Sequence, residues 1–61
     1  MNYYGLRARA ISRIDAMYED DHDVYNITYE IETKFGFGER FVRNRIELLE
    51  KIKSRQNQDQ N

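Results

Sequence analysis

Apolar residues recur every three or four positions in three parts of the chain, which is the spacing of one face of an α-helix. The first part runs from Leu6 to Tyr18, the second from Thr28 to Phe35 and the third from Glu39 to Lys53. Polar and charged residues take the remaining sides of each segment. The pattern therefore predicts three amphipathic helices with these bounds, in a mainly all-α domain.

The apolar faces of the three predicted helices, with one aromatic residue between the second and third, predict the hydrophobic core. Burying a stripe of each helix against the other two is how such a domain covers its apolar surface. The expected core residues are Ile11, Ile14, Ile31, Phe35, Phe37, Val42, Ile46 and Leu49.

The start of the second segment fits two patterns. Apolar and polar residues alternate from Tyr25 to Glu32, as in a half-buried strand. Helical spacing fits the same stretch and continues to Phe35. We expect a short extended segment over Val24 to Asn26, with room for one short strand, followed by the helix. The alternative keeps Tyr25 to Glu32 as a strand that pairs across a dimer.

A glycine-rich turn separates the second and third helices. Gly36 follows the last apolar position, where many helices end in a left-handed residue that glycine adopts without steric cost. Phe37 is expected to pack between the two helices. Gly38 is an acceptable N-cap, and Glu39 places a carboxylate in the first turn, where the helix dipole favours negative charge.

This order of residues resembles the helix-turn-helix of prokaryotic DNA-binding domains, including the winged-helix group, over about a third of the chain. Two positions depart from the usual pattern: Glu32 stands where a small Ala is common, and Gly38 where Ser or Thr is common. We expect no wing, which would need a β-hairpin after the third helix. The residues that carry the resemblance are Ile31, Gly36, Phe37, Gly38, Phe41, Val42, Ile46 and Leu49.

Charge is segregated along the chain, although the formal net charge is only −1. Residues 1–14 carry three arginines and no acid, residues 15–32 carry seven acids and no base, and residues 33–55 carry seven bases against three acids. Because salt screens charge beyond about 8 to 10 Å, a local basic face can bind phosphate despite an acidic remainder. That face includes the third helix.

The resemblance implies a small transcriptional regulator that binds double-stranded DNA, with the third helix in the major groove. Arg40, Arg43 and Asn44 lie opposite the apolar stripe near the start of that helix, and these residue types pair with guanine and adenine edges. Basic side chains nearby would contact phosphates, which position a protein without reading sequence. The expected phosphate contacts are Lys34, Arg45 and Lys51.

A chain of 61 residues forms one domain with a small core, which we place at residues 1–55, and the polar tail 56–61 is expected to be disordered. Association of two copies would bury more apolar surface than one small domain can, and a symmetric dimer would match a palindromic DNA site. We therefore expect a homodimer. Its expected interface consists of the apolar residues beside the core stripe, Phe41, Leu48 and Ile52.

The composition gives little indication of catalysis or metal binding. The chain has no cysteine and a single histidine, His22, within a run of acids whose spacing does not match a calcium-binding loop. We expect no enzymatic activity, cofactor, metal or small-molecule substrate. The absence of a long apolar run predicts no membrane association and a cytoplasmic protein. The alternative function is a homo- or hetero-oligomeric protein-interaction module that binds no nucleic acid.

Overall fold

The computed structural model describes residues 2–59, and the side chains as far as Gln56. It contains three helices: α1 (Tyr3–Glu19), α2 (Val24–Phe35) and α3 (Glu39–Asp59). Each helix packs against the other two. No strand occurs in residues 2–59, so the predicted all-α, three-helix fold is confirmed.

Helix α1 begins at Tyr3, before the expected start at Leu6, because Asn2 caps it. The Asn2 side-chain oxygen accepts a hydrogen bond from the Gly5 backbone nitrogen at 2.6 Å. This bond satisfies one of the backbone N–H groups that have no partner within the helix.

The end of α1 is formed by a residue in the left-handed conformation. Asp21 has φ 65°, and the next nitrogen, that of His22, donates to the Met17 carbonyl at 3.1 Å. Asp21 also donates from its backbone nitrogen to the Tyr18 carbonyl at 3.1 Å. These hydrogen bonds satisfy carbonyls in the last turn of α1 before the chain turns into α2.

The extended segment expected over Val24 to Asn26 is wrong, because α2 begins at Val24. Asp23 is its N-cap and accepts a hydrogen bond from the Asn26 nitrogen at 2.8 Å. The strand alternative over Tyr25 to Glu32 is wrong for the same reason. The two tyrosines that suggested alternation, Tyr25 and Tyr29, instead share the outer face of α2 at a spacing of four residues.

The turn between α2 and α3 follows the prediction from its glycines. Gly36 has φ 80°, and its nitrogen donates to the carbonyls of Ile31 and Glu32, each at 3.1 Å. The Gly38 carbonyl accepts a hydrogen bond from the Val42 nitrogen at 3.3 Å, so the hydrogen bonding of α3 begins at Gly38. A single residue, Phe37, lies between the two glycines.

Helix α3 continues past the expected end at Lys53. Its backbone is helical to Asp59, since no Gly or Pro interrupts it and Gln, Lys and Arg favour helices. It therefore includes most of the tail 56–61 for which we expected disorder. Residues 60 and 61 of that tail lie outside the described residues.

The buried core has contributions from all three helices. Three of the predicted residues, Ile14, Ile31 and Val42, are fully buried. Phe35, Phe37 and Ile46 are half-buried and pack against this core. The remaining buried residues were not predicted: Ala10, Met17 and Ile27.

Two residues expected in the core, Ile11 and Leu49, are only half-buried. Ile11 lies toward the groove between α1 and α3, and Leu49 lies toward the C-terminal end of α1. Ala10 takes the central place on α1 because its small side chain lets the helices approach closely.

Phe37 joins the turn to both α3 and α1. Its ring stacks on Phe41 at 4.3 Å between centroids and meets Tyr3 edge to face at 6.0 Å. These ring contacts join α1 and α3, whereas the prediction placed Phe37 between α2 and α3. Phe37 thus holds the first turn of α1 against the first turn of α3.

Candidate nucleic-acid interface

A polar stripe on α3 faces away from the core. Arg40, Asn44 and Lys51 are separated by four and seven residues, which places them on one side of a helix. All three side chains are exposed, and the buried Val42 lies on the opposite side. The structure therefore brings together three of the six residues predicted to contact DNA.

The donors of this stripe have no partner among the side chains that the structure describes. Arg40 and Lys51 form no ion pair with residues 2–56, and the Asn44 side-chain amide makes no hydrogen bond there. An exposed guanidinium, an amide and an ammonium are consequently available to an acceptor outside the chain.

Arg43 lies beside this stripe, but its guanidinium is held by Glu39. The Nε atom of Arg43 donates to Glu39 Oε2 at 2.6 Å, one helical turn away. This hydrogen bond is the main cause that raises the pKa of Arg43 above its ordinary value, and the Glu39 charge adds to it. Both side chains remain about half exposed.

Part of the stripe, together with Arg43, lines a shallow, open concavity on α3. Its volume is about 360 Å³. Two carboxylates flank the basic and amide groups, so the surface has mixed charge. The lining residues are Glu39, Arg40, Arg43, Asn44 and Glu47.

Lys34, in the last turn of α2, has an internal partner. Its Nζ lies 2.9 Å from Glu30 Oε2, and the same oxygen accepts from Arg13 Nε at 3.0 Å. The Lys34 hydrogen bond is the largest cause of the lowered pKa of Glu30. Lys34 is mostly exposed, whereas the Glu30 carboxylate is largely covered.

Arg45, which was expected to contact a phosphate, is bound to α1 in the structure. Its Nε donates to Asp15 Oδ1 at 2.8 Å and its Nη2 to Asp15 Oδ2 at 2.7 Å. The hydrogen bonds with Asp15 raise the pKa of Arg45, and burial opposes them. This paired contact joins α3 to α1, so the guanidinium serves the fold.

The three residues expected at a dimer interface differ in exposure. Leu48 and Ile52 are each 45% exposed, which is high for aliphatic side chains. Phe41 is half-buried, with Phe37 on its ring and the Arg7 guanidinium 5.8 Å from its centroid. Leu48 and Ile52 therefore form the apolar surface available on α3.

Two exposed tyrosines on α2 are not among the residues predicted to contact DNA or a second copy. Tyr25 and Tyr29 are 75% and 72% exposed, and the Tyr25 phenol is near enough to influence the Arg43 pKa. Their spacing of four residues could have identified them as one face, but the strand pattern hid it.

No family model, curated protein or solved structure matches the chain. Among the helices described, none combines the length and apolar character needed to cross a bilayer. The chemistry of the α3 surface is therefore the basis for a functional proposal.

Proposed function

We propose that the protein binds double-stranded DNA in a sequence-dependent manner, as a small transcriptional regulator in a prokaryotic cytoplasm, with α3 in the major groove. The observation that carries this proposal is the exposed stripe of Arg40, Asn44 and Lys51, whose donors have no partner in the described chain. It begins directly after the tight turn at Gly36, and the resemblance to helix-turn-helix domains agrees with that position.

The side chains at the start of α3 have the donors that base edges require. An arginine can donate two parallel hydrogen bonds to guanine O6 and N7, and an asparagine amide can pair with adenine N6 and N7. Arg40 and Asn44 are exposed within the first two turns of α3, where recognition helices meet base edges. Arg43 is a third candidate once it leaves Glu39.

Lys34 and Lys51 are the proposed phosphate contacts. Both ammonium groups are exposed, and Lys34 can exchange Glu30 for a phosphate without disturbing the core. Arg45 is omitted, because moving its guanidinium to a phosphate would break the contact between α1 and α3. Backbone contacts of this kind fix orientation and carry no sequence information.

A homodimer is proposed as the binding species. Leu48 and Ile52 offer apolar surface on α3 that a second copy would cover, and a domain of this size gains stability from such burial. Two copies of α3 would also match the symmetry of a palindromic site.

A fluorescence anisotropy titration with random and selected duplexes, at several salt concentrations, tests the proposal. Asn44→Ala should weaken binding to a selected site by about 1 to 3 kcal/mol and to random duplex much less, so discrimination falls. Lys51→Ala should weaken binding to both and reduce the salt slope by about one counterion. Wild-type protein that binds no duplex at low salt would refute the proposal.

The second candidate is a protein-interaction module without nucleic acid. It is favoured by the exposed apolar pair Leu48 and Ile52 and by the exposed tyrosines Tyr25 and Tyr29. A null result in the titration, together with loss of a defined protein complex on Leu48→Ser, would favour this module over the DNA-binding role.

A further inference from the structure

We propose that Glu39 is a built-in competitor for nucleic acid: it occupies the Arg43 guanidinium in the free protein, and duplex binding exchanges this carboxylate for the nucleic acid. The inference deepens the proposed function and rests on it. It concerns a residue that sequence reasoning treated only as a favourable first-turn charge.

The contact itself is direct. Arg43 Nε lies 2.6 Å from Glu39 Oε2, and the two residues are one helical turn apart on α3. Short charge-assisted bonds of this kind are the stronger ones at a surface. A carboxylate offers the guanidinium the same planar pair of oxygens that a phosphate offers. Glu39 therefore competes for the same donor by the same chemistry.

The position of the pair makes the competition matter. Both residues line the concavity that also contains Arg40 and Asn44, the two side chains with unused donors. Both are about half exposed, so the pair can open without unfolding the helix. A duplex that contacts Arg40 would bring its phosphates close to Glu39. The exposed carboxylate would then oppose binding unless Arg43 compensates for it.

The exchange has a consequence for salt dependence. When a free arginine binds a duplex, counterions leave the phosphates and the affinity falls with salt. When Arg43 leaves Glu39 to bind the duplex, the freed carboxylate attracts a cation from solution. This uptake offsets one of the counterions that the phosphates release. Removing the Glu39 charge should therefore increase the salt slope as well as the affinity.

The chain offers a matched control on the same surface. Glu47 lines the same concavity and lies four residues beyond Arg43. It acts on Arg43 only through its charge at a distance, whereas Glu39 also forms the hydrogen bond. Glu39→Gln and Glu47→Gln thus change the net charge equally, and only the first replaces the charged hydrogen-bond partner of Arg43 by a neutral one.

The test is a set of anisotropy titrations on one random duplex from low to moderate salt, with the wild type and the variants Glu39→Gln, Glu47→Gln, Arg43→Ala and Glu39→Gln/Arg43→Ala. Glu39→Gln should raise the low-salt affinity about two- to fivefold beyond Glu47→Gln, the range that an exposed ion pair supports. It should also steepen the salt slope by about one counterion. In the Arg43→Ala background the same change should have no more effect than Glu47→Gln.

A second readout does not depend on DNA. The Arg43 Nε–H resonance should shift and exchange faster with solvent in Glu39→Gln, and stay unchanged in Glu47→Gln. If the duplex binds but the two glutamine variants have equal affinities and slopes, the competitor role is wrong and the DNA-binding role stands. If neither wild type nor Glu39→Gln binds duplex, the DNA-binding role fails and the competitor role fails with it.

Discussion

Arg45 of α3 holds Asp15 of α1 through two parallel hydrogen bonds, Nε to Oδ1 at 2.8 Å and Nη2 to Oδ2 at 2.7 Å. The pair is the only one among the described ion pairs that joins α1 to α3. Its two side chains are about one-quarter and one-third exposed, so water weakens the attraction only in part. It fixes the position of one helix along the other.

Replacing Arg45 by Lys should lower the free energy of unfolding by about 1 kcal/mol, because an ammonium cannot make the paired contact. For a domain this small, that loss lowers the melting temperature by about 4 to 8 °C. Thermal unfolding followed by circular dichroism measures it. Arg13→Lys is the matched control, since Arg13 makes one 3.0 Å bond and is more exposed, and it should cost less. Equal costs would show that the second hydrogen bond of Arg45 to Asp15 adds no stability.

The two left-handed residues should respond in opposite directions to substitution. Gly36 has φ 80° with no atom within 4 Å of an added Cβ, so Gly36→Ala should cost about 1 to 2 kcal/mol through backbone strain alone. Asp21 adopts φ 65° with a side chain, and Asp21→Gly should stabilise by about 1 kcal/mol. Urea unfolding gives both values. Gly38→Ser is the control and should cost nothing, because space is open there and serine suits a helix start.

The fold was largely predictable from the sequence because each helix has local determinants. The left-handed Gly36 and the helical spacing before it fixed the end of α2. Its start was missed, although Asp23 is a favoured N-cap residue, because the acids around it suggested an open loop. The alternation from Tyr25 to Ile31 fits a strand, but the same residues also fit a helix with the two tyrosines on one face and the two isoleucines on the other. Only packing of Ile27 and Ile31 into the core decides between them.

The loss of unfolding free energy on truncating a core residue should increase with the burial of that residue. Ile31 is fully buried, and Ile31→Ala should lower the free energy of unfolding by about 2 to 5 kcal/mol, enough to threaten folding of a domain with little stability to lose. Ile46 is half-buried, so Ile46→Ala should cost less than Ile31→Ala. Chemical denaturation of both variants ranks them. The reverse order would contradict the buried position of Ile31.

The candidate site was predictable in its exposed part only. Arg40, Asn44 and Lys51 follow from helical spacing, because a residue opposite a buried stripe must face solvent. The partners of Arg45 and Lys34 were less accessible to sequence reasoning. The Arg45 contact depends on the position of α1 along α3. The spacing of residues within each helix does not determine that position. The Lys34 pair with Glu30 could have been found, since the two residues are four apart on one helix.

The proposed dimer makes stability depend on concentration. If a second copy covers Leu48 and Ile52, the melting temperature should fall on dilution, and Leu48→Ser should abolish that dependence. Analytical ultracentrifugation at tens of micromolar gives the mass directly. Tyr29→Ser is the matched control, because it removes an exposed apolar ring on another helix and should leave association intact. A monomer whose melting temperature ignores dilution would contradict the dimer.

The most direct measurement compares Arg40→Gln with Lys53→Gln in binding to a random duplex at low salt. Both variants lose one exposed positive charge of α3, but Arg40 lies on the polar stripe whereas Lys53 lies on the opposite side of the same helix. If the stripe faces the duplex, Arg40→Gln should weaken binding severalfold and reduce the salt slope by about one counterion, and Lys53→Gln should change neither. Equal effects of the two substitutions, or no binding by the wild type, would contradict a nucleic-acid interface on α3.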